Sequence, residues 1–225
     1  VVLEKARILQ DMEKTAEALA LLEDATVRFP HSRRARVELG EALRQAERYE
    51  EAVAAYSAAI DMSPGGSRRQ DWYLYFLRGV GYERLGRWNE AEADLRKALS
   101  LNPAEPNVLN YLGYSYLEQG RNIEEARQLI AKAVELRPGD GFIIDSLGWA
   151  YFMAGQYDEA VKHLELAVAA EPGDATINEH LGDAYWRVGR TIEARFRWRA
   201  AMDSEPAEDQ SRRLVAKLEL GLDAA

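Results

Sequence analysis

Six of the seven prolines stand at near-regular intervals. Pro30, Pro64, Pro103, Pro138, Pro172 and Pro206 follow one another at 34, 39, 35, 34 and 34 residues. A period of this length marks a repeat architecture, in which each unit buries its apolar face only against its neighbours. Other residues keep the same step. Twelve positions before each proline stands an alanine (Ala18, Ala52, Ala91, Ala126, Ala160, Ala194), and five before each stands another (Ala25, Ala59, Ala98, Ala133, Ala167, Ala201). Each pair lies two helical turns apart, on one face of a helix. Further upstream come Ala6, Gly40, Gly79, Gly113, Gly148 and Gly182, followed three residues later by Leu9, Leu43, Tyr82, Tyr116, Tyr151 and Tyr185.

The stretch "LGWAYFMAGQYDEA" (147 to 160) shows what the pattern is for. A glycine inside a helix costs roughly 1 kcal/mol against alanine, so a helix that keeps one gains from the missing side chain. With Gly148 on a first helix and Ala160 and Ala167 on a second, two antiparallel helices can approach closely while Tyr151 and Leu164 fill the layer beside them. Gly155 ends the first helix in a left-handed conformation, and Asp158 and Glu159 suit the positive N-terminus of the next. Gly86, Gly120 and Gly189 repeat that turn, although "GRNIEEA" holds one residue more than "GQYDEA".

This arrangement resembles the tetratricopeptide repeat, carried in 141 to 174 by Leu147, Gly148, Tyr151, Ala160, Leu164, Ala167 and Pro172. In 175 to 208 it is carried by Leu181, Gly182, Tyr185, Ala194, Trp198, Ala201 and Pro206. The family's tryptophan near each repeat start is replaced, for example by Ile144 and Asn178. The resemblance implies an all-α, right-handed superhelical solenoid of six helix pairs. They fall at about 1–32, 33–66, 72–105, 106–140, 141–174 and 175–208. The spacer "GGSRRQD" (Gly65 to Asp71) reads as a surface loop, with Asp71 as N-cap of a helix starting at Trp72. Residues 209–225 read as a C-terminal capping helix with Leu214, Val215, Leu218 and Leu222 on its buried face. The first unit has no such cap, and the chain is expected to continue upstream of Val1.

Several function classes are disfavoured. A net charge of −9 and a pI near 5 speak against gripping phosphate backbones, so nucleic acid is not an expected partner. The chain has no cysteine and no run of about 18 apolar residues, so thiolate chemistry and a membrane span within it are not expected. His31, His163 and His180 stand at no metal-ligand spacing and read as surface or packing residues. "RGVGYERLG" places Gly79 and Gly86 at repeat positions, with no preceding strand to make a phosphate loop. In "RFRWR", Trp198 is the large apolar residue of the second-helix pattern, and Arg195 and Arg199 read as sharing an outer face. No catalytic residue, cofactor or metal is expected, and the chain reads as non-enzymatic.

In the family resembled, first helices line a concave surface that holds partners at a few fixed offsets in each repeat. Carried onto this sequence, those offsets give Tyr73, Phe76, Val80, Glu83 and Arg84; Asn107, Asn110, Tyr114, Leu117 and Glu118; Phe142, Asp145, Trp149, Phe152 and Met153; and Thr176, Glu179, Asp183, Trp186 and Arg187. Large apolar groups on a solvent-facing surface mark interaction sites when contiguous. The clamp by which some family members hold acidic chaperone tails is absent, because aromatic or apolar residues such as Phe76, Val80 and Tyr111 stand in its place. The expected function is a scaffold or adaptor holding another protein or a peptide segment in this groove. The alternative is self-association into a homo-oligomer. The wording of 108–160 and 178–202 is also similar to proteobacterial tetratricopeptide lipoproteins that serve a periplasmic processing protease. That likeness implies a periplasmic or outer-membrane-anchored location, the alternative being the cytoplasm.

Overall fold

The computed structural model describes residues 2–63 and 68–222 of the 225-residue chain; Gly65, Gly66 and Ser67 of the expected spacer lie outside them. Among the described residues every regular element is helical: thirteen α-helices and one short 3-10 turn. Two compact units divide the chain, Val1–Pro103 and Ala104–Ala225. The first holds α1 (Val2–Asp11), α2 (Thr15–Arg28), α3 (Arg33–Gln45), α4 (Tyr49–Asp61), α5 (Trp72–Arg84) and α6 (Trp88–Leu101). The second holds α7 (Pro106–Glu118), α8 (Ile123–Leu136), α9 (Gly141–Met153), α10 (Tyr157–Ala170), α11 (Ala175–Arg187), α12 (Thr191–Asp203) and α13 (Glu208–Leu220). Each odd-numbered helix up to α11 packs against the even-numbered helix that follows, and each pair packs on the next within its unit. In the second unit the first helices also meet directly, α7 with α9 and α9 with α11.

The mid-helix glycines make these contacts possible. A methyl group on Gly148 would fall 2.6 Å from Cγ of Leu164, and one on Gly182 would fall 2.4 Å from the Trp198 ring. Gly40 meets Tyr56 in the same way. In these three pairs the partner lies sixteen residues downstream, but Gly113 meets Ile130, seventeen downstream. The extra residue of "GRNIEEA" is taken up in the turn, where Gly120 and Asn122 are both left-handed (φ 61° and 51°). Asparagine tolerates that region better than other side-chain-bearing residues, so the helices on either side keep their register. In the first two pairs the left-handed turn residue is a glutamate, Glu13 and Glu47, both at φ 58°.

Each unit has its own core. In the first, Leu19, Leu22, Leu43, Tyr56, Leu74 and Leu77 pack among Ala6, Ala42, Ala52 and Ala59. In the second, Leu164, Ile177, Leu181, Trp198 and Leu214 pack among Ala160, Ala167, Ala194 and Ala201.

Three expectations require correction. Asp71 does precede α5, but its side chain makes no cap bond to that helix. It is buried instead, and it accepts from the Arg68 backbone N–H at 2.7 Å, from Ser63 Oγ at 2.9 Å and from the Arg33 guanidinium. Burial pushes its carboxyl up, yet those donors outweigh burial and hold it below the usual aspartate value. Arg195 does not sit on an outer face, since its Nε donates to the Leu218 carbonyl at 3.4 Å and its guanidinium lies 5.3 Å from the Trp186 ring. Finally, Val215 is 44% exposed, whereas Leu214 and Lys217 are buried. Lys217 lies three positions after Leu214, close to one helical turn, whereas Val215 lies about 100° round the helix from Leu214.

Candidate groove on the first helices

Side chains from successive first helices meet one repeat apart. In the first unit, Arg7 of α1 reaches Glu38 of α3 at 2.9 Å, Gln10 donates to Gln45 at 2.9 Å, and the Tyr73 hydroxyl of α5 donates to Glu41 at 3.0 Å. Burial and the neighbouring Glu41 push the Tyr73 phenol up to about 12. Tyr73 is 39% exposed, while Phe76 and Val80 are half-buried, Phe76 against the first core.

The second unit concentrates the aromatic side chains. Phe142, one residue into α9, is 55% exposed. Two turns on, the Trp149 indole stacks on Phe152, with ring centres 4.6 Å apart and planes 8° apart. The other neighbour of Trp149 is the His180 imidazole of α11, at 4.1 Å and 15°. Asp145 is buried beneath this column and holds His180 Nδ1 at 3.0 Å from both carboxylate oxygens. Burial pulls the imidazole down, but Asp145, with Asp183 and Glu179 beyond it, outweighs burial and raises it above the ordinary histidine value. The charged imidazolium is thereby favoured.

The α13 end of the face is closed by a second buried network. Lys217 of α13 donates to Glu179 and Asp183, each at 2.7 Å. Gln210 donates to the other Glu179 oxygen at 2.9 Å, and Trp198 Nε1 donates to Asp183 at 2.9 Å. Burial raises Glu179, but Lys217 and Gln210 bring it below its usual value, whereas for Asp183 burial prevails and the carboxyl is raised. Trp186, half-buried, lies 5.4 Å from Trp198 and against the backbone of Gly221, where an added methyl would sit 2.4 Å from the ring.

Of the residues expected in the second unit's groove, Phe142, Trp149 and Phe152 therefore form one stripe along α9, with half-buried Asn110 and Tyr114 on α7. Leu117 is packed inside at 1% exposure and has no surface to present. Asp145 is buried and hydrogen-bonded to His180. Trp186 is partly covered by its own chain. The residues that sequence reasoning left out of the groove are His180 and Lys217, whereas Glu179 and Asp183 stand at groove offsets and are buried beneath α13. A signal existed, since His180 directly follows Glu179, which lies one 34-residue step from Asp145, as Pro172 does from Pro138. No metal site accompanies these groups: among the described residues no cluster of three or more His, Cys, Asp or Glu could hold an ion.

A family model described as "Cilia and flagella-associated protein 70 C-terminal domain" matches residues 1–218. Among curated proteins, a "Lipoprotein NlpI homolog" of Haemophilus influenzae is 51% identical over 47 residues. That match spans 20% of this chain and 15% of the lipoprotein. Among solved structures, the APC/C hetero-tetramer Cut9-Hcn1 superposes with a TM-score of 0.80 at 19% identity, over 98% of this chain and 42% of that one. A tetratricopeptide repeat protein from Parabacteroides merdae gives a TM-score of 0.80 at 21% identity, over 97% of this chain and 84% of that one. The chain thus spans less than half of the first of these structures and a small part of the lipoprotein. The structural likenesses show the tetratricopeptide fold.

Proposed function

The chain belongs to the tetratricopeptide repeat family described as the Cilia and flagella-associated protein 70 C-terminal domain, and we propose that it is an adaptor that holds a partner segment on the groove face of its second unit. Tetratricopeptide proteins are protein-interaction scaffolds, and a chain of similar fold is found in the APC/C hetero-tetramer Cut9-Hcn1. The observation that carries the reading is the α9 stripe. Phe142 stands in solvent, and Trp149 is held flat between Phe152 and His180. A rigid aromatic surface of this kind loses little side-chain entropy when a partner covers it. The test compares binding of partners by the parent chain, Phe142→Ala and Trp149→Ala, with Leu164→Ala as a core control. Loss of binding in the two folded α9 variants supports the groove. Undiminished binding in the Phe142→Ala, Trp149→Ala double variant would remove it.

We also infer that the adaptor works in a bacterial envelope, serving a processing protease. What supports this is the local likeness to a lipoprotein together with the wording of the fourth to sixth repeats. Among the described residues no helix is long and apolar enough to cross a membrane, so attachment would fall to a lipid on another part of the protein. Fractionation of the full-length natural protein after labelling with palmitate tests the idea. A label-free protein recovered with the cytoplasm overturns it.

A further inference from the structure

α12 departs from the other second helices in both charge and apolar content. α2, α4, α6, α8 and α10 each carry more acidic than basic side chains, whereas α12 carries Arg195, Arg197 and Arg199 against Glu193 and Asp203. Glu193 is taken by Arg190, at 2.9 Å. Arg195 and Arg197, half-buried, donate to neutral acceptors, the Leu218 carbonyl at 3.4 Å and Asn178 Oδ1 at 3.3 Å, and Arg199 stands exposed. Among the described residues no carboxylate is bonded to any of the three. One 34-residue step before Ile192 and Phe196 stand Asp158 and Lys162 of α10, and one unit further back stand Glu124 and Gln128 of α8. α12 thus places two large apolar side chains where those helices are polar, and it leaves them in solvent, Ile192 83% exposed and Phe196 64%. Four positions apart, they are neighbours on the face opposite the buried Ala194, Trp198 and Ala201, with Arg199 about one turn beyond Phe196. The Arg197 guanidinium lies 5.7 Å from the Phe196 ring.

We propose that this face of α12 is a second docking site, separate from the groove, and that it takes an acidic segment of another protein: a large apolar side chain of that segment covers Ile192 and Phe196, while a carboxylate beside it pairs with Arg199 in the field of Arg195 and Arg197. Charge decides the choice of occupant. A guanidinium presents a planar fork of donors that fits a carboxylate in two parallel bonds, and the fork of Arg199 is open. A basic segment would meet three guanidiniums of like sign, and a wholly apolar one would desolvate Arg199 without pairing it. An anionic bilayer is a plane wide enough to meet the preceding second helix too, and α10 carries Asp158, Glu159 and Glu165 against Lys162, which repel such a surface. A single segment can follow α12 alone.

A random dodecapeptide display library selected on the parent chain provides the test, with Phe196→Ser, Arg199→Glu and Phe142→Ala as counter-targets. Phe196 and Arg199 are exposed, so both substitutions leave the fold intact, and circular dichroism checks them. The expected result is a class of peptides that join aspartate or glutamate to a large apolar residue and keep their binding to Phe142→Ala. Made synthetically, the best of them should lose about thirtyfold in affinity on Phe196→Ser and about tenfold on Arg199→Glu. Peptides that depend on Phe196 but are neutral or basic would overturn the inference of an acidic partner. A selection in which peptides depend on Phe142 and none on Phe196 would overturn this site and leave the groove standing. Two further measurements detect the other occupants. Flotation of the parent chain, but not of Phe196→Ser, with phosphatidylglycerol vesicles would give the face to a bilayer, and dimerisation in sedimentation that Phe196→Ser abolishes would give it to a second copy; either result overturns the proposal.

Discussion

The imidazole of His180 lies 4.1 Å from the indole of Trp149 and within 15° of parallel to it, while its Nδ1 rests on the carboxylate of Asp145. A titratable group therefore supports the central aromatic of the groove. Because Asp145 raises the folded-state pKa of His180, the pair contributes stability that is fully present below the unfolded histidine value of about 6.5. That contribution is lost as pH rises through the folded value. The difference in urea midpoint between the parent and His180→Gln should be largest below about pH 6.5 and shrink as pH is raised above it. A difference that grows with pH would contradict the pairing.

Lys217 and Arg213 both reach Glu179 from α13, but only Lys217 is buried. Lys217→Met leaves Glu179 and Asp183 without their buried cation and should cost about 3–5 kcal/mol. Arg213→Ala removes a half-exposed contact at 3.6 Å and should cost under about 1 kcal/mol. Equal effects of the two substitutions on the denaturation midpoint would show that the network is not what holds α13 down.

Gly148→Leu should destabilise the second unit by roughly 1–3 kcal/mol, because the new side chain meets Leu164 at its first carbon. Combining it with Leu164→Ala should recover part of that loss, since the two sites share one space. Gly139→Ala, where nothing lies within 4 Å, serves as the neutral control. Strictly additive effects of the first two substitutions in thermal melts would argue against the packing role.

Glu47 holds a left-handed conformation in the turn between α3 and α4, where a side chain is penalised by roughly 1–2 kcal/mol. Glycine is free of that penalty but loses more backbone entropy on folding. Glu47→Gly should therefore stabilise the first unit by up to about 1 kcal/mol, read as a raised denaturation midpoint. A fall in stability would mean that the Glu47 side chain makes a compensating contact.

Much of this fold was legible because its grammar is local. Gly148 and Leu164 belong to one helix pair, and their types and spacing already imply that the helices touch. Trp149 and Phe152 were legible as a stripe for the same reason, being three residues apart on one helix. The polar partners were harder to read. Asp71 looks like a cap because it precedes a helix, but three donors from outside α5 take its carboxylate instead, and those donors come together only in the folded chain. Lys217 looks solvated by type, and it is the burial of Glu179 and Asp183 beneath α13 that draws it inward. Leu117 occupies a groove offset by count, yet α7 turns it into the core.

The seventeen-residue step from Gly113 to Ile130, beside the sixteen-residue step from Gly148 to Leu164, marks where this chain can change its length. One added residue between Gly120 and Asn122 is absorbed without moving either helix, since only turn backbone is disturbed. The same addition within α9 would rotate everything beyond it by about 100° and separate Asp145 from His180, or Trp149 from its stack. Lineages of such chains should therefore lengthen and shorten at the left-handed turns, while the helices between them keep a constant count.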